Sequence, residues 1–436
     1  NEGNVAVDAL NNDGTVTNNK TLTVATLDND GTIYNASSFT VSGGSNDSTI
    51  SGTGDMTVAG NFANSNGATI TQGNVNVTAG TLTNDGTITA DITNASTVDN
   101  NNAIIGNVEN NANFTNDGTV TGNIENADTF ANNGTITGSV TNTDTFENNK
   151  TINGDIDNDG TLYNGSSATI VANNLTNTDT ITNAGNITAA HLDNQADITN
   201  NNELNVVAGT NSGAIDGTGN LNISGDVANS GTIKQGNINI AAGSLTTAAN
   251  NVDADIFNAG TLQLTGGTNA NDIDAYNSTY GTVKISGDVT NEGSINNNIE
   301  LASGTLSLST GTLDTASRTL TAAGGNLNSE NATIDSISFD TVILNADMVW
   351  SMDTSLANEG SADRLLANNA TVNGNKITIA DIAFSDYDAR TIAMNLMRIS
   401  VTDNSDLYGA IELAVSEYIA GDNTYKVYYD ETAGEI

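Results

Sequence analysis

Between Leu82 and Leu162 the chain repeats itself every sixteen residues, and it does so strictly in its apolar positions. One column runs Leu82, Val98, Phe114, Phe130, Phe146, Leu162; a second runs Ile88, Ile104, Val120, Ile136, Ile152; a third runs Ile92, Val108, Ile124, Val140, Ile156. A fixed period of this length marks a stack of structural repeats and has to be found before any local assignment is made. Six positions along an α-helix amount to about 240° of rotation, so the first two columns would diverge on a helix, whereas spacings of six and four keep one face of a strand. Two polar columns keep the same step without exception: Asn84, Asn100, Asn116, Asn132, Asn148, Asn164, and Asn94, Asn110, Asn126, Asn142, Asn158.

Three inward apolar residues cannot offset the entropy of ordering sixteen backbones, so one coil cannot stand alone. Coils stacked at about 4.8 Å pair every backbone with its neighbours and bring each column into line. The sequence therefore predicts an all-β chain folded as a parallel β-helix, or β-solenoid, of 16–17 residues per coil. In the stretch "FTNDGTV", Phe114 to Val120, a bend is expected at "NDG", with Gly118 supplying a positive φ. Val120, Gly122 and Ile124 are expected to form a straight side that ends in a second bend at Asn126.

The corner pattern returns outside the strict block as "LNNDGTV" from Leu10, "LDNDGTI" from Leu27, "ITNAGNI" from Ile181, "VANSGTI" from Val227 and "VTNEGSI" from Val289. A longer duplication links Ile50 onward with Ile215 onward. These extend the solenoid over residues 1–335, about twenty coils at the strand spacing. Near Asn331 the composition shifts: the only Trp, Trp350, follows, as do Arg364, Arg390 and Arg398. An exposed solenoid end needs covering, so residues 336–436 are expected to form a C-terminal capping β segment.

Composition supports this architecture and narrows function. Among 436 residues there is no Pro, which suits a backbone whose N–H groups are nearly all committed to ladders, and no Cys, so no disulfide contributes. A net charge of −41, from 51 acidic and 10 basic residues, argues against nucleic acid or an anionic membrane as partner. No apolar run reaches the about 18 residues of a membrane helix, so no membrane insertion is expected in this segment. The opening "NEGNVAVDAL" already lies inside the pattern, and an export signal is expected to have preceded it.

"ISGTGDMTVAG" from Ile50, the N-x-G-T-I corners and the tail "GSADRLLANNATVNGNKITIADI" from Gly360 to Ile382 together resemble the passenger domain of a bacterial autotransporter, exported by type V secretion. The resemblance implies a right-handed β-helix, an autochaperone-like cap and a membrane β-barrel beyond it. It also implies an extracellular location at the bacterial cell surface. These coils are shorter than is usual for that family, and a left-handed β-helix built on the same six-residue apolar spacing stays open.

Candidate sites are few. The columns Asn84, Asn100, Asn116, Asn132, Asn148 and Asn164 are read as a structural ladder whose amides bond to one another and to corner backbone. Thr87, Thr119, Thr135 and Thr151 share a register, with Thr121 and Thr137 two places on, and all are expected to point outward as an interaction surface. Such Thr-x-Thr files resemble the ice-binding faces of solenoid antifreeze proteins, but this file breaks at Ala103 and Asn153, and Thr is a good strand residue in any case. "DIDNDG" makes Asp155, Asp157 and Asp159 weak candidates for a surface Ca²⁺, although Ser166 stands where a calcium loop needs its bidentate Glu. No other cofactor is expected, and His191, the only histidine, is expected in a loop. No nucleophile elbow or P-loop occurs, and polysaccharide-acting sites on solenoids usually need basic residues that this body lacks, so an enzyme is not expected.

The leading expectation is a surface-displayed adhesin acting in cell–cell self-association or attachment. Its partners would be other copies of itself, or glycans or proteins of a host or surface, engaged through many weak contacts acting together. A structural fibre or coat subunit assembling end to end is the alternative.

Overall fold

A computed structural model describes residues 1–354, 362–384, 400–401, 408–414, 417–420 and 423–426. Of the residues expected in the cap, Gly360, Ser361, Arg390 and Arg398 lie outside these. The chain is all-β, a solenoid of parallel strands with about 19 turns among the described residues. It divides into two compact units, Asn1–Asn220 and Leu221–Ile436.

In the first unit each strict coil consists of three short strands. The coil entered at Asn113 has Asn113–Asn116 as its first side, Thr119–Thr121 as its second and Ile124–Asn126 as its third. Every side lies parallel to its equivalent sixteen residues on: Phe114 beside Phe130, Val120 beside Ile136, Ile124 beside Val140. The three apolar columns therefore fill the interior, and Phe114, Val120 and Ile124 are all buried. Strand spacing sets even the aromatic geometry, since Phe114, Phe130 and Phe146 stack with centroids 4.7 and 4.8 Å apart and rings inclined by only 5°. Outside the strict block the step along the ladder lengthens to 17 residues between Asn12 and Asn29, 20 between Asn64 and Asn84, and 19 between Asn164 and Asn183. Extra residues are accommodated in turns, where the Ala68 N–H bonds back to Ser65 and the Ala168 N–H to Gly165.

The corners differ from expectation. Gly118 has no left-handed φ; the glycine that does is Gly122, at 155°, and it breaks the side expected to be straight. The turn after Asn116 is closed without special dihedrals, because the N–H groups of Asp117 and Gly118 both reach the carbonyl of Asn100 in the preceding coil. Gly118 is small for another reason: a Cβ there would lie 1.9 Å from the carbonyl oxygen of Asn102. The stacked coil below, rather than the bend itself, excludes a side chain.

The Asn columns are the polar half of the interior. From Asn12 to Asn200 each Nδ2 donates to the Oδ1 of the Asn one coil on, at 2.6–2.8 Å, through Asn29, Asn46, Asn64, Asn84, Asn100, Asn116, Asn132, Asn148, Asn164 and Asn183. A second ladder runs from Asn94 through Asn110, Asn126, Asn142, Asn158, Asn177 and Asn194 to Asn211. Nearly all of these side chains are fully buried, and their donors also meet corner carbonyls, as Asn84 meets Ala103. Amides suit this place because each has both a donor and an acceptor to pass along the stack.

In the second unit parallel stacking continues with coils of unequal length: Leu262 lies beside Val283, Val283 beside Ile299, Ile299 beside Leu320 and Leu320 beside Val342. Ladder bonds occur there too, such as Asn269 to Asn291 at 2.8 Å. Parallel pairing runs on past residue 335 into the segment expected to form the cap. Ser336–Leu344 pairs in parallel with both Thr319–Ala322 and Arg364–Thr371, and Met348–Thr354 pairs in parallel with Ile377–Phe384. What changes is the filling. Trp350 is fully buried, and its Nε1 donates to Ser329 Oγ at 2.9 Å. Ser329 Oγ in turn donates to the buried Asp363 carboxylate at 2.6 Å. An antiparallel pair, Glu417–Ala420 with Asn423–Lys426, occurs further on.

Candidate functional site

Alternation along each strand sends one residue inward and the next outward, so every side of the first unit presents stacked files of outward side chains. The three sides differ sharply in charge. On the third side the file runs Thr93, Glu109, Glu125, Thr141, Asp157, with Glu109 directly beside Glu125. The first side carries Asp99 and Glu147. Burial, aided by Asp117, pushes the Asp99 carboxyl above its usual value.

Over the strict block the second side carries no charge. It holds the Thr residues singled out above: Thr87 lies beside Ala103, Ala103 beside Thr119, Thr119 beside Thr135 and Thr135 beside Thr151. Two places on, Thr89, Ile105, Thr121, Thr137 and Asn153 form the companion file. All are exposed or half-exposed. The side also reaches well beyond the strict block. Pairing continues back through Thr69–Thr71, Thr49–Ser51 and Thr32–Tyr34 to Thr15–Thr17, and forward through Thr169–Val171 to Asn186–Thr188. Eleven successive three-residue stretches on this side thus contain no Asp, Glu, Lys, Arg or His, on a chain with net charge −41; Asp91 and His191 follow within the strands Thr87–Asn94 and Asn186–Asn194 but lie beyond these stretches. The next strand ends the run with Glu203, beside Asn186. Tyr34, Ile105 and Val171, each 44–49% exposed, all belong to this side.

Sequence reasoning found the middle of this surface and missed its ends, because the longer coils throw the outward Thr residues out of the sixteen-residue register. Part of the local signal was there: Thr15, Thr32 and Thr119 each stand three places after a ladder Asn, but Thr69 and Thr169 stand five places after theirs.

The calcium-loop pattern is not assembled into a site. Asp155 accepts hydrogen bonds from the Asn174 side chain at 3.0 Å and from the Asn174 and Asn173 N–H groups at 2.9 and 3.0 Å, and these hold it below the usual carboxylate range. Asp157 lies outward on the strand Ile156–Asn158, while Asp159 stands past the corner and is bonded by the Thr178 hydroxyl. Residues two apart on a strand are about 7 Å apart, and here a bend intervenes, so linear spacing does not become a ligand cage. Among the described residues one trio of carboxylates comes close enough to share a cation, Asp28, Asp30 and Asp47, and it lies elsewhere. Asp47 there accepts hydrogen bonds from the hydroxyls of Ser65 and Ser45, which lower its pKa. His191 sits in the strand Asn186–Asn194 between Asn174 and Ala208 rather than in a loop, and is exposed.

Several basic residues pair with near neighbours. Lys234 pairs with Asp253, Lys284 with Glu300 and Lys376 with Glu412, all on the surface. The Arg318 guanidinium lies 3.1 Å over the Tyr280 ring. No helix among the described residues is long and apolar enough to cross a membrane. No protein-family model, no curated protein and no solved structure matches the chain.

Proposed function

We propose that the chain is an extracellular adhesin displayed at a bacterial surface, holding cells to one another or to a substratum through a repetitive polar face of its solenoid. The observation that carries this reading is the uncharged part of the second side, continuous over eleven stacked three-residue stretches while its neighbours carry carboxylates. Hydroxyl and methyl groups repeated at the strand spacing offer many equivalent weak contacts, which become strong only in number. The partners are other copies of the chain, or neutral glycans and proteins on a facing surface. Acidity elsewhere fits a molecule that stays soluble and avoids anionic polymers. The autotransporter resemblance supplies a route of export, in which this segment is the passenger. No cofactor and no catalytic step form part of this function.

The test is display of the chain on cells that do not otherwise clump. Autoaggregation and retention on abiotic and glycan-coated surfaces are measured against cells carrying an empty display system. Increased clumping or retention supports the proposal, and equality in both assays sinks it.

A further inference from the structure

We infer that the uncharged side of the first unit docks onto the same side of a second copy, in antiparallel register about a two-fold axis along the strand Thr135–Thr137. The inference rests on the adhesin reading above and names the partner. Charge selects the face. Any contact through the first or third sides would bring carboxylates such as Glu109, Glu125 and Glu147 towards those of the other copy, whereas the second side can be covered without desolvating a single charge.

The pattern of side chains selects the register. Ile105 lies two strands before Thr137 and Val171 two strands after it, in one outward file. These are among the most exposed large apolar side chains of the unit, at 49% and 46%. A two-fold axis lying in the contact plane along the middle strand reverses the order of strands and keeps each file in line with its counterpart. Ile105 of each copy then covers Val171 of the other, Thr121 meets Asn153, and Thr137 meets its own equivalent. Such an interface is isologous and closes on itself. Uncharged overlap extends three strands either way and stops where Glu203 would enter.

Seven strands at about 4.8 Å by three residues at about 3.4 Å make a patch of about 340 Å² per copy. That is well below the about 800 Å² per partner of a standard stable interface, so one pair is weak and a crowded surface is needed to hold it. Repulsion between the acidic flanks opposes the contact, so association strengthens as salt rises from ~0.01 to ~0.15 M and the screening length falls from about 30 to about 8 Å.

The chain contains no Cys, so single cysteines report the contact cleanly. Thr137→Cys is expected to form disulfide-linked dimers by itself under mild oxidation. Ile105→Cys mixed with Val171→Cys is expected to cross-link several-fold faster than either variant alone, and both reactions should accelerate with salt. Thr141→Cys on the acidic side is the control, and adding Thr135→Asp to Thr137→Cys should slow cross-linking several-fold while far-UV circular dichroism stays unchanged. Cross-linking at Thr137 no faster than at Thr141, or Ile105→Cys pairing with itself as fast as with Val171→Cys, overturns the inference. Displayed cells separate the two levels: if Thr135→Asp leaves clumping intact, or abolishes only attachment to a glycan, docking of copies through this side is wrong although the adhesin reading survives. If no form of the chain promotes clumping or attachment, that reading itself falls.

Discussion

Replacing Asn116 by Asp tests the ladder at its centre, because the two side chains share a shape and differ in one donor. Asn116 is fully buried; its Oδ1 accepts from Asn100 Nδ2 and its Nδ2 donates to Asn132 Oδ1, both at 2.7 Å. An ionised carboxylate in its place keeps the first bond and sets a second acceptor against Asn132 Oδ1, in reach of the carbonyls of Gly118 and Thr135. Leaving that buried oxygen unpaired costs about 1–3 kcal/mol, and burying the charge costs several more. Protonation limits the loss, because the neutral acid has an O–H that can replace the amide donor. Reaching that form at pH 7 from an unfolded-state pKa of about 3.9 costs about 4 kcal/mol, which is the ceiling on the charge penalty. The folded-state pKa of the introduced carboxyl is therefore raised. Stability is retained below about pH 3.9 and lost as pH climbs through the folded-state value. Asn116→Ala has no proton to bind and should lose about 1–3 kcal/mol at every pH, since Asn100 Nδ2 keeps the carbonyls of Asn102 and Thr119 while Asn132 Oδ1 loses its amide donor. Because a stack of repeats loosens locally, the assay is hydrogen exchange of peptides covering residues 100–135, corrected for intrinsic rates, at pH 4 and pH 7. Equal losses for Asn116→Asp at both pH values, or a loss under about 0.5 kcal/mol at pH 7, would refute the claim that the ladder amide is a required donor.

Other outcomes follow from the same geometry. Phe130→Ala removes the middle ring of the stack and should cost about 3–5 kcal/mol by local hydrogen exchange, more than Phe130→Leu. Gly118→Ala forces a methyl against the Asn102 carbonyl and should deprotect its coil, whereas Gly14→Ala, with nothing within 4 Å, should be near neutral in thermal melts. Burial raises Asp363 to about 6, despite the N–H groups of Asp353 and Asp335 and the Ser329 hydroxyl that it accepts, and Asp353 adds to the rise. Its contribution is thus full below its ordinary value of 3.8 and lost as pH passes about 6. Protection around Trp350 should be weaker at pH 8 than at pH 4 by about 2–3 kcal/mol, and Asp363→Asn should flatten that step.

The coil, its inward columns and both ladders were legible in the sequence because each is a property of one position repeated. Leu82 and Phe114 need only be seen one column apart from their neighbours to be read as core. The corners were not legible in the same way. Gly118 and Gly122 look equivalent along one coil, and what separates them is a backbone φ at one and the carbonyl of Asn102 at the other. "DIDNDG" misled for a related reason: ligand spacing in a motif presumes a loop, and Asp157 sits on a strand with Asp159 beyond a bend. The uncharged side was half legible. Thr119 and Thr135 announced it, but Thr32 and Thr69 could be added only when pairing had absorbed coils of unequal length.

The long amide ladder has a direction: every bond from Asn12 to Asn200 runs from a lower-numbered nitrogen to a higher-numbered oxygen. Within the strict block each Asn meets an identical Asn sixteen residues on, so excising or duplicating one whole coil rejoins the same donor to the same acceptor. Nothing in the interior records how many coils precede or follow. Such a gene can gain or lose units by unequal recombination and still encode a seamless protein, which makes extent a heritable quantity that changes in whole coils while every local contact is conserved.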